Sequence, residues 1–126
     1  MTTDILIIVR KGPYSGFQAA EALRHANGSL SLGFRPVMVL VDDGVYLGRD
    51  GQTPGQSQWL SLGETFEEII ARGLYENKEA PAEFYVEEAS LRQRGLEPHD
   101  LIESLEPVDS GKVAELIRRY PLQLIF

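Results

Sequence analysis

The chain has 126 residues, 43% of them hydrophobic and 25% charged, a balance that suits one soluble globular domain over residues 1–126 and excludes disordered, collagen-like and low-complexity classes. It has no cysteine and only two histidines, His25 and His99, which rules out disulfides, thiolate metal centres, iron–sulfur clusters and any cysteine nucleophile or sulfur carrier; no metal site and no cofactor are expected. The net charge of −7 opposes a phosphate backbone, no apolar run nears the roughly 18 residues that cross a bilayer, and Met1-Thr2-Thr3-Asp4 lacks a basic leader, so the expectation is a cytoplasmic protein that binds neither nucleic acid nor membrane.

Ile5 to Val9 is an unbroken apolar run, the pattern of a strand buried on both faces. Arg10-Lys11-Gly12-Pro13-Tyr14 ends it. Ser15 is a candidate cap for a helix carrying Phe17, Ala20, Leu23 and Ala26 or Asn27, weakened at Gly28 and stopped at Gly33. Pro36 opens a second apolar run, Val37 to Val41, which stops at Asp42-Asp43-Gly44. Val45 to Leu47 suits a short helical turn. The 11 residues 48–58 read as a long loop, with Gly48, Gly51, Pro54 and Gly55 among polar groups.

A helix is predicted over Thr65 to Leu74, with Phe66, Ile69, Ile70 and Leu74 on one stripe. Asn77 to Pro81 connects it to a third strand, Phe84-Tyr85-Val86. Glu87 to Arg94 reads as a short helix ended by Gly95, and Leu101 to Leu105 as a fourth strand. Asp109 or Ser110 caps a helix with Val113, Leu116 and Ile117, and Leu122 to Phe126 forms a last strand. Strand–helix alternation of this kind predicts an α/β sandwich with a mainly parallel sheet and right-handed crossovers.

Ligands of open parallel sheets sit beyond the carboxyl ends of the strands, so loops 10–16, 42–55 and 87–90 carry the candidate site. Gly12-Pro13-Tyr14-Ser15-Gly16 matches neither nucleotide-binding glycine pattern and suits a tight strand-to-helix turn. Asp42 and Asp43 follow the second strand, the wrong place for a phospho-acceptor pair, and suit an Asp-Gly turn. Glu87-Glu88 suits helix-start carboxylates bridged to Arg92. Arg118-Arg119 suits the last turn of a helix, and Tyr46, Trp59 and Tyr75 are candidate interface anchors or core residues.

At the third strand the chain becomes recognisable. Gly73-Leu74-Tyr75, then Phe84-Tyr85-Val86-Glu87-Glu88-Ala89-Ser90-Leu91-Arg92-Gln93-Arg94-Gly95-Leu96, resembles the DsrE/DsrF-like (DsrEFH and TusBCD) sulfur-relay family. The DsrF/TusC branch ends this segment in a similar Ala-Ser-Leu-Arg-x-Arg-Gly-Leu. Pro13-Tyr14 with Gly16, Asp43-Gly44-Val45, Gly51-Gln52 and the final Phe126 agree in order and spacing, over nearly the whole chain.

The resemblance implies a three-layer α/β/α sandwich with a five-stranded, mainly parallel sheet, and assembly into trimers or hexamers, including heterohexamers of three related subunits. In these, sulfur travels as a cysteine persulfide toward tRNA 2-thiouridine or through dissimilatory sulfur metabolism. It also implies an active cysteine just after the third strand; the matching position here is Glu87. A carboxylate cannot form a persulfide, and Met1 and Met38 are thioethers. The expectation is a non-catalytic accessory or scaffold subunit, not an enzyme. Its partners would be DsrE/DsrH- or TusD/TusB-like homologues, or further copies of itself. The alternative is a stand-alone small-ligand module whose crevice uses Tyr14, Asp43 and Gln52. A third reading, acid–base catalysis by Asp42, Asp43 or Glu87, lacks a nucleophile–base–orienter set.

Overall fold

The centre of the sheet follows from two runs that are apolar on both faces. In the computed structural model, which describes residues 3–52 and 61–126, β1 (Asp4–Val9) and β2 (Arg35–Leu40) each bury every residue after the first. β3 (Glu83–Glu87), β4 (Glu106–Val108) and β5 (Gln123–Ile125) complete a five-stranded sheet of order β4-β3-β2-β1-β5, parallel throughout.

Alternation along the strands splits the core in two. Ile5, Ile7, Val9, Met38, Leu40, Phe84 and Val86 face α1 (Gln18–Ser31) and α2 (Leu62–Tyr75), meeting Ala22, Leu23, Phe66 and Ile69. Leu6, Ile8, Val37, Val39 and Tyr85 face the opposite way, onto Val113, Leu116 and Tyr120 at α4 (Ser110–Arg119). The expected three-layer α/β/α sandwich is what forms. No helix among the described residues is long and apolar enough to cross a membrane.

Local chemistry sets the helix ends. Ser61 caps α2, its hydroxyl oxygen accepting from Glu64 N–H at 3.3 Å, and Asp109 caps α4, accepting from Lys112 N–H at 2.8 Å. Gly73 lets α2 lie against β3: a Cβ there would come within 2.7 Å of Ala82 Cβ and 3.0 Å of the Phe84 ring. Gly33 follows α1 at φ +81°, as a helix terminator does.

Several expectations need correction. Ser15 does not cap α1. Phe17 stands at that position, and the Ser15 hydroxyl donates to Gly12 O at 2.8 Å. α1 runs through Gly28 to Ser31, and α2 starts three residues before the predicted Thr65. The turn expected at Val45–Leu47 is a longer 3₁₀ segment, Asp42–Gly48. The short helix α3 is Glu88–Gln93, leaving Glu87 on β3. Leu101–Leu105 is not a strand; β4 lies beyond it. Leu101, Ile102 and Leu105 are apolar because they close the core on the α1/α2 face, and Leu101 makes only an isolated antiparallel bridge with Arg49.

A polar cluster pins the amino ends of three strands to the end of α4. Arg35 donates to both Asp4 carboxylate oxygens (3.0 and 3.2 Å), to Glu83 Oε2 (2.8 Å), to Pro81 O (3.2 Å) and to Tyr120 Oη (3.1 Å). Tyr85 Oη donates to Glu83 Oε1 at 2.6 Å. Burial raises the Glu83 carboxyl, but the hydrogen bonds from Tyr85 and Arg35 more than offset it, so the group lies below the ordinary glutamate value. Burial and the neighbouring Glu83 push the Tyr85 phenol up.

Candidate functional site

Glycines let the carboxyl ends of β1 and β2 close on each other. A Cβ at Gly44 would sit 1.9 Å from Val9 O, so no other residue fits there. The Gly44 N–H donates to Arg10 O at 3.1 Å, tying the 3₁₀ segment to the end of β1. Two residues nearby hold left-handed backbone, Tyr14 at φ +66° and Asp42 at φ +51°; for tyrosine this is a strained conformation.

Glu87 ends β3, half-buried. Its Oε1 accepts from the Ser90 hydroxyl at 2.5 Å, and the Ser90 oxygen in turn accepts from the Asp42 N–H at 2.9 Å. Ser90 is 1% exposed. One turn on, Arg94 donates to Asp43 Oδ1 at 2.9 Å and to Ser90 O at 3.1 Å, while Arg10 lies 3.5 Å from Asp42 Oδ2. Glu87, Ser90, Asp42, Asp43, Arg94 and Arg10 therefore form one chain of contacts across the ends of three strands. Ser90, Arg94 and Arg10 were missed as site residues because the contacts that tie them to Asp42 and Asp43 span long stretches of sequence. The expected Glu88–Arg92 bridge is present at 3.6 Å.

A second feature lies beside this chain. Tyr14, Asp43 and Gln52, with Gly12, Pro13, Ser15 and Tyr46, line an open groove of about 380 Å³. The fold brings three of the four sequence-chosen residues together; Glu87 does not line the groove. The Tyr14 hydroxyl oxygen accepts from Leu62 N–H at 3.0 Å, tying the loop after β1 to the first turn of α2. Gln52 Nε2 donates to Tyr46 O (2.6 Å) and Arg49 O (2.9 Å), which fixes the end of the 3₁₀ segment. Tyr46 thus belongs to the groove, whereas Tyr75 stands exposed at the end of α2; Trp59 and residues 53–58 of the long loop lie outside the described residues.

A parallel α/β/α sandwich with a polar contact chain and a groove at the carboxyl ends of its central strands defines the class. The chain belongs to the DsrE/DsrF-like family, which it matches over residues 3–122. It is 31% identical over 120 residues to a TusC homologue of Pseudomonas aeruginosa, covering 95% of each chain. It is also 31% identical over 103 residues to an uncharacterised Methanopyrus kandleri protein, covering 81% of this chain and 76% of that one. Among solved structures it superimposes on YchN of E. coli with a TM-score of 0.79 at 21% identity, covering all of both chains. An MTH1491 structure from Methanobacterium thermoautotrophicum gives 0.71 at 16% identity, over 98% of this chain and 99% of that one. These two likenesses establish the fold.

Proposed function

We propose that the chain is a non-catalytic subunit of a DsrEFH- or TusBCD-like sulfur-relay assembly. Glu87 carries the reading. It stands at the carboxyl end of β3, where the family resemblance puts the sulfur-bearing cysteine, and its carboxylate holds the Ser90 hydroxyl instead. A persulfide forms when a thiolate sulfur bonds a sulfane sulfur, and this chain has no thiol at any position. Sulfur therefore travels on a cysteine-bearing homologue, and this chain shapes or supports that partner's site. The likeness to a TusC homologue supports membership in such an assembly.

The sheet edge supplies a physical motive for assembly. β5 is an edge strand, and Leu122 to Phe126 contains no charge and no proline to discourage pairing. Ile125 is 61% exposed and Ile117 on α4 is 43% exposed, so the edge keeps apolar surface in water.

Co-expression with the cysteine-bearing family members of its own genome, followed by light scattering on the purified complex, tests the reading. A defined trimer or hexamer containing both kinds of chain is expected. A monodisperse monomer that joins none of them overturns it. Glu87→Gln is expected to leave assembly intact and to change the rate of sulfur transfer by the partner, because it removes a charge without removing bulk.

A further inference from the structure

The two edges of the sheet follow opposite rules. β4 is blunted: Glu106 is exposed, Pro107 has no N–H, and the exposed acids Glu103 and Asp109 flank the strand. β5 has none of these devices. Leu6 N–H donates to Leu122 O at 3.0 Å, Phe126 N–H to Ile8 O at 2.8 Å and Arg10 N–H to Phe126 O at 2.6 Å. Leu122 and Phe126 therefore turn their backbone groups toward β1, and Leu124 does the same by alternation. Gln123 and Ile125, which stand between them, turn their N–H and C=O groups outward. Among the described residues no strand lies beyond them.

Side chains set what such an edge accepts. Leu124 packs with the core on the α1/α2 face, so its neighbours Gln123 and Ile125 lie on the α4 face. Gln123 Nε2 donates to Ile117 O at 2.5 Å and to Tyr120 O at 2.7 Å, which fastens the end of α4 to the start of β5. At about 100° per residue, Ile117 and Arg118 lie on the flank of α4 away from Lys112. Lys112 stands over the Tyr85 ring of β3, 5.6 Å from its centroid, so the flank with Ile117 and Arg118 is the one toward β5. Ile117 and Ile125 are both exposed. Glu115, the acid of α4, pairs with Lys112 at 3.7 Å and not with Arg118. From Ile117 to Phe126 the chain has two arginines and no acid, against a net charge of −7 overall. The edge is thus apolar and locally basic in an acidic protein.

We propose that the β5 edge takes an extended acidic segment of a partner protein as an added strand, with an apolar side chain against Ile117 and Ile125 and a carboxylate against Arg118. Main-chain pairing supplies the affinity, and the side chains on one face supply the selection. Alternate residues of a strand share a face, so the apolar residue and the acid stand two positions apart in the partner. A second copy of this chain does not fit. Its β5 brings the same arginines, and its β4, although acidic, has Pro107 in the middle of three residues. The inference goes beyond the relay reading and does not rest on it, because the added strand needs no thiol.

The test is titration of the isotopically labelled full chain, followed by NMR, at constant ionic strength. The probes are acetyl-Thr-Glu-Thr-Val-Thr-Glu-Thr-amide, the same peptide with lysine for glutamate, and the acidic peptide N-methylated at every residue. Saturable shifts at Ile117, Gln123 and Ile125, with slowed amide exchange at Gln123 and Ile125, are expected with the first peptide and not with the other two. Arg118→Glu, at an exposed position, is expected to weaken the acidic peptide by about fivefold or more. Ile125→Pro removes an outward N–H and leaves the bonds to β1 in place, so it is expected to abolish binding while the β1 amides stay protected. The proposal is overturned if the acidic peptide does not saturate, if either control peptide matches it, or if Arg118→Glu binds it as well as the wild type. It is equally overturned if the Gln123 and Ile125 amides are already protected in the free chain through self-association at this edge.

Discussion

Replacing Arg35 with methionine tests whether the amino ends of the strands are held by charge. Methionine keeps most of the apolar stem and removes five donated hydrogen bonds, to Asp4 (two), Glu83, Pro81 and Tyr120. The Arg35 side chain is 16% exposed, and those of Asp4 and Glu83 are 36% and 33% exposed. Breaking a fully buried pair costs about 3–5 kcal/mol and a surface pair about 0–1. This cluster lies between them: Glu83 keeps the Tyr85 donor, and Asp4 regains water. Arg35→Met is therefore expected to cost about 2 kcal/mol, read as a lower urea midpoint with an unchanged slope.

The pH dependence has a definite sign. Glu83 lies below its ordinary value of 4.5, so in acid the unfolded chain binds the proton more readily than the folded one. The stability that Glu83 contributes is fully present above pH 4.5 and is lost as pH falls through its folded value. The gap between wild type and Arg35→Met should narrow over that acid range. A loss under about 0.5 kcal/mol at neutral pH would refute the reasoning and reduce the cluster to solvated surface pairs.

Gly44→Ala places a Cβ 1.9 Å from Val9 O and strains the joint between β1 and the 3₁₀ segment. A loss of about 3 kcal/mol or more in urea unfolding is expected, and a near-neutral result would show that the two strand ends separate easily. Ser90→Ala leaves the Asp42 N–H and a Glu87 oxygen without their shared partner, at a cost of about 1–3 kcal/mol. Faster amide exchange at Asp42 is the companion signature. Ile125→Lys puts a charge on the open edge, and is expected to weaken assembly while leaving the thermal midpoint of the isolated chain within a few degrees.

The central sheet was legible because β1, β2 and β3 are buried on both faces, which writes them as unbroken apolar runs. β4 was not legible for the converse reason. It is a three-residue edge strand, Glu106-Pro107-Val108, with neither alternation nor a run, whereas Leu101, Ile102 and Leu105 fill the core without joining the sheet. The site divides in the same way. Tyr14, Asp43 and Gln52 were chosen because they sit in loops at the carboxyl ends of strands, and the fold gathers them into one groove. The contacts of Ser90 with Asp42 and of Arg94 with Asp43 span 48 and 51 residues, and no local pattern encodes such pairs. Ser90 carried one faint signal, its place three residues after Glu87 at the start of a short helix.

The central claim is that sulfur passes by this chain without residing on it. Intact-mass measurement of each separated chain, after a reconstituted complex with cysteine-bearing homologues has been exposed to a persulfide donor, addresses that directly. The account predicts one added sulfur atom on a partner and an unchanged mass for this polypeptide. A sulfur adduct on this polypeptide would contradict it.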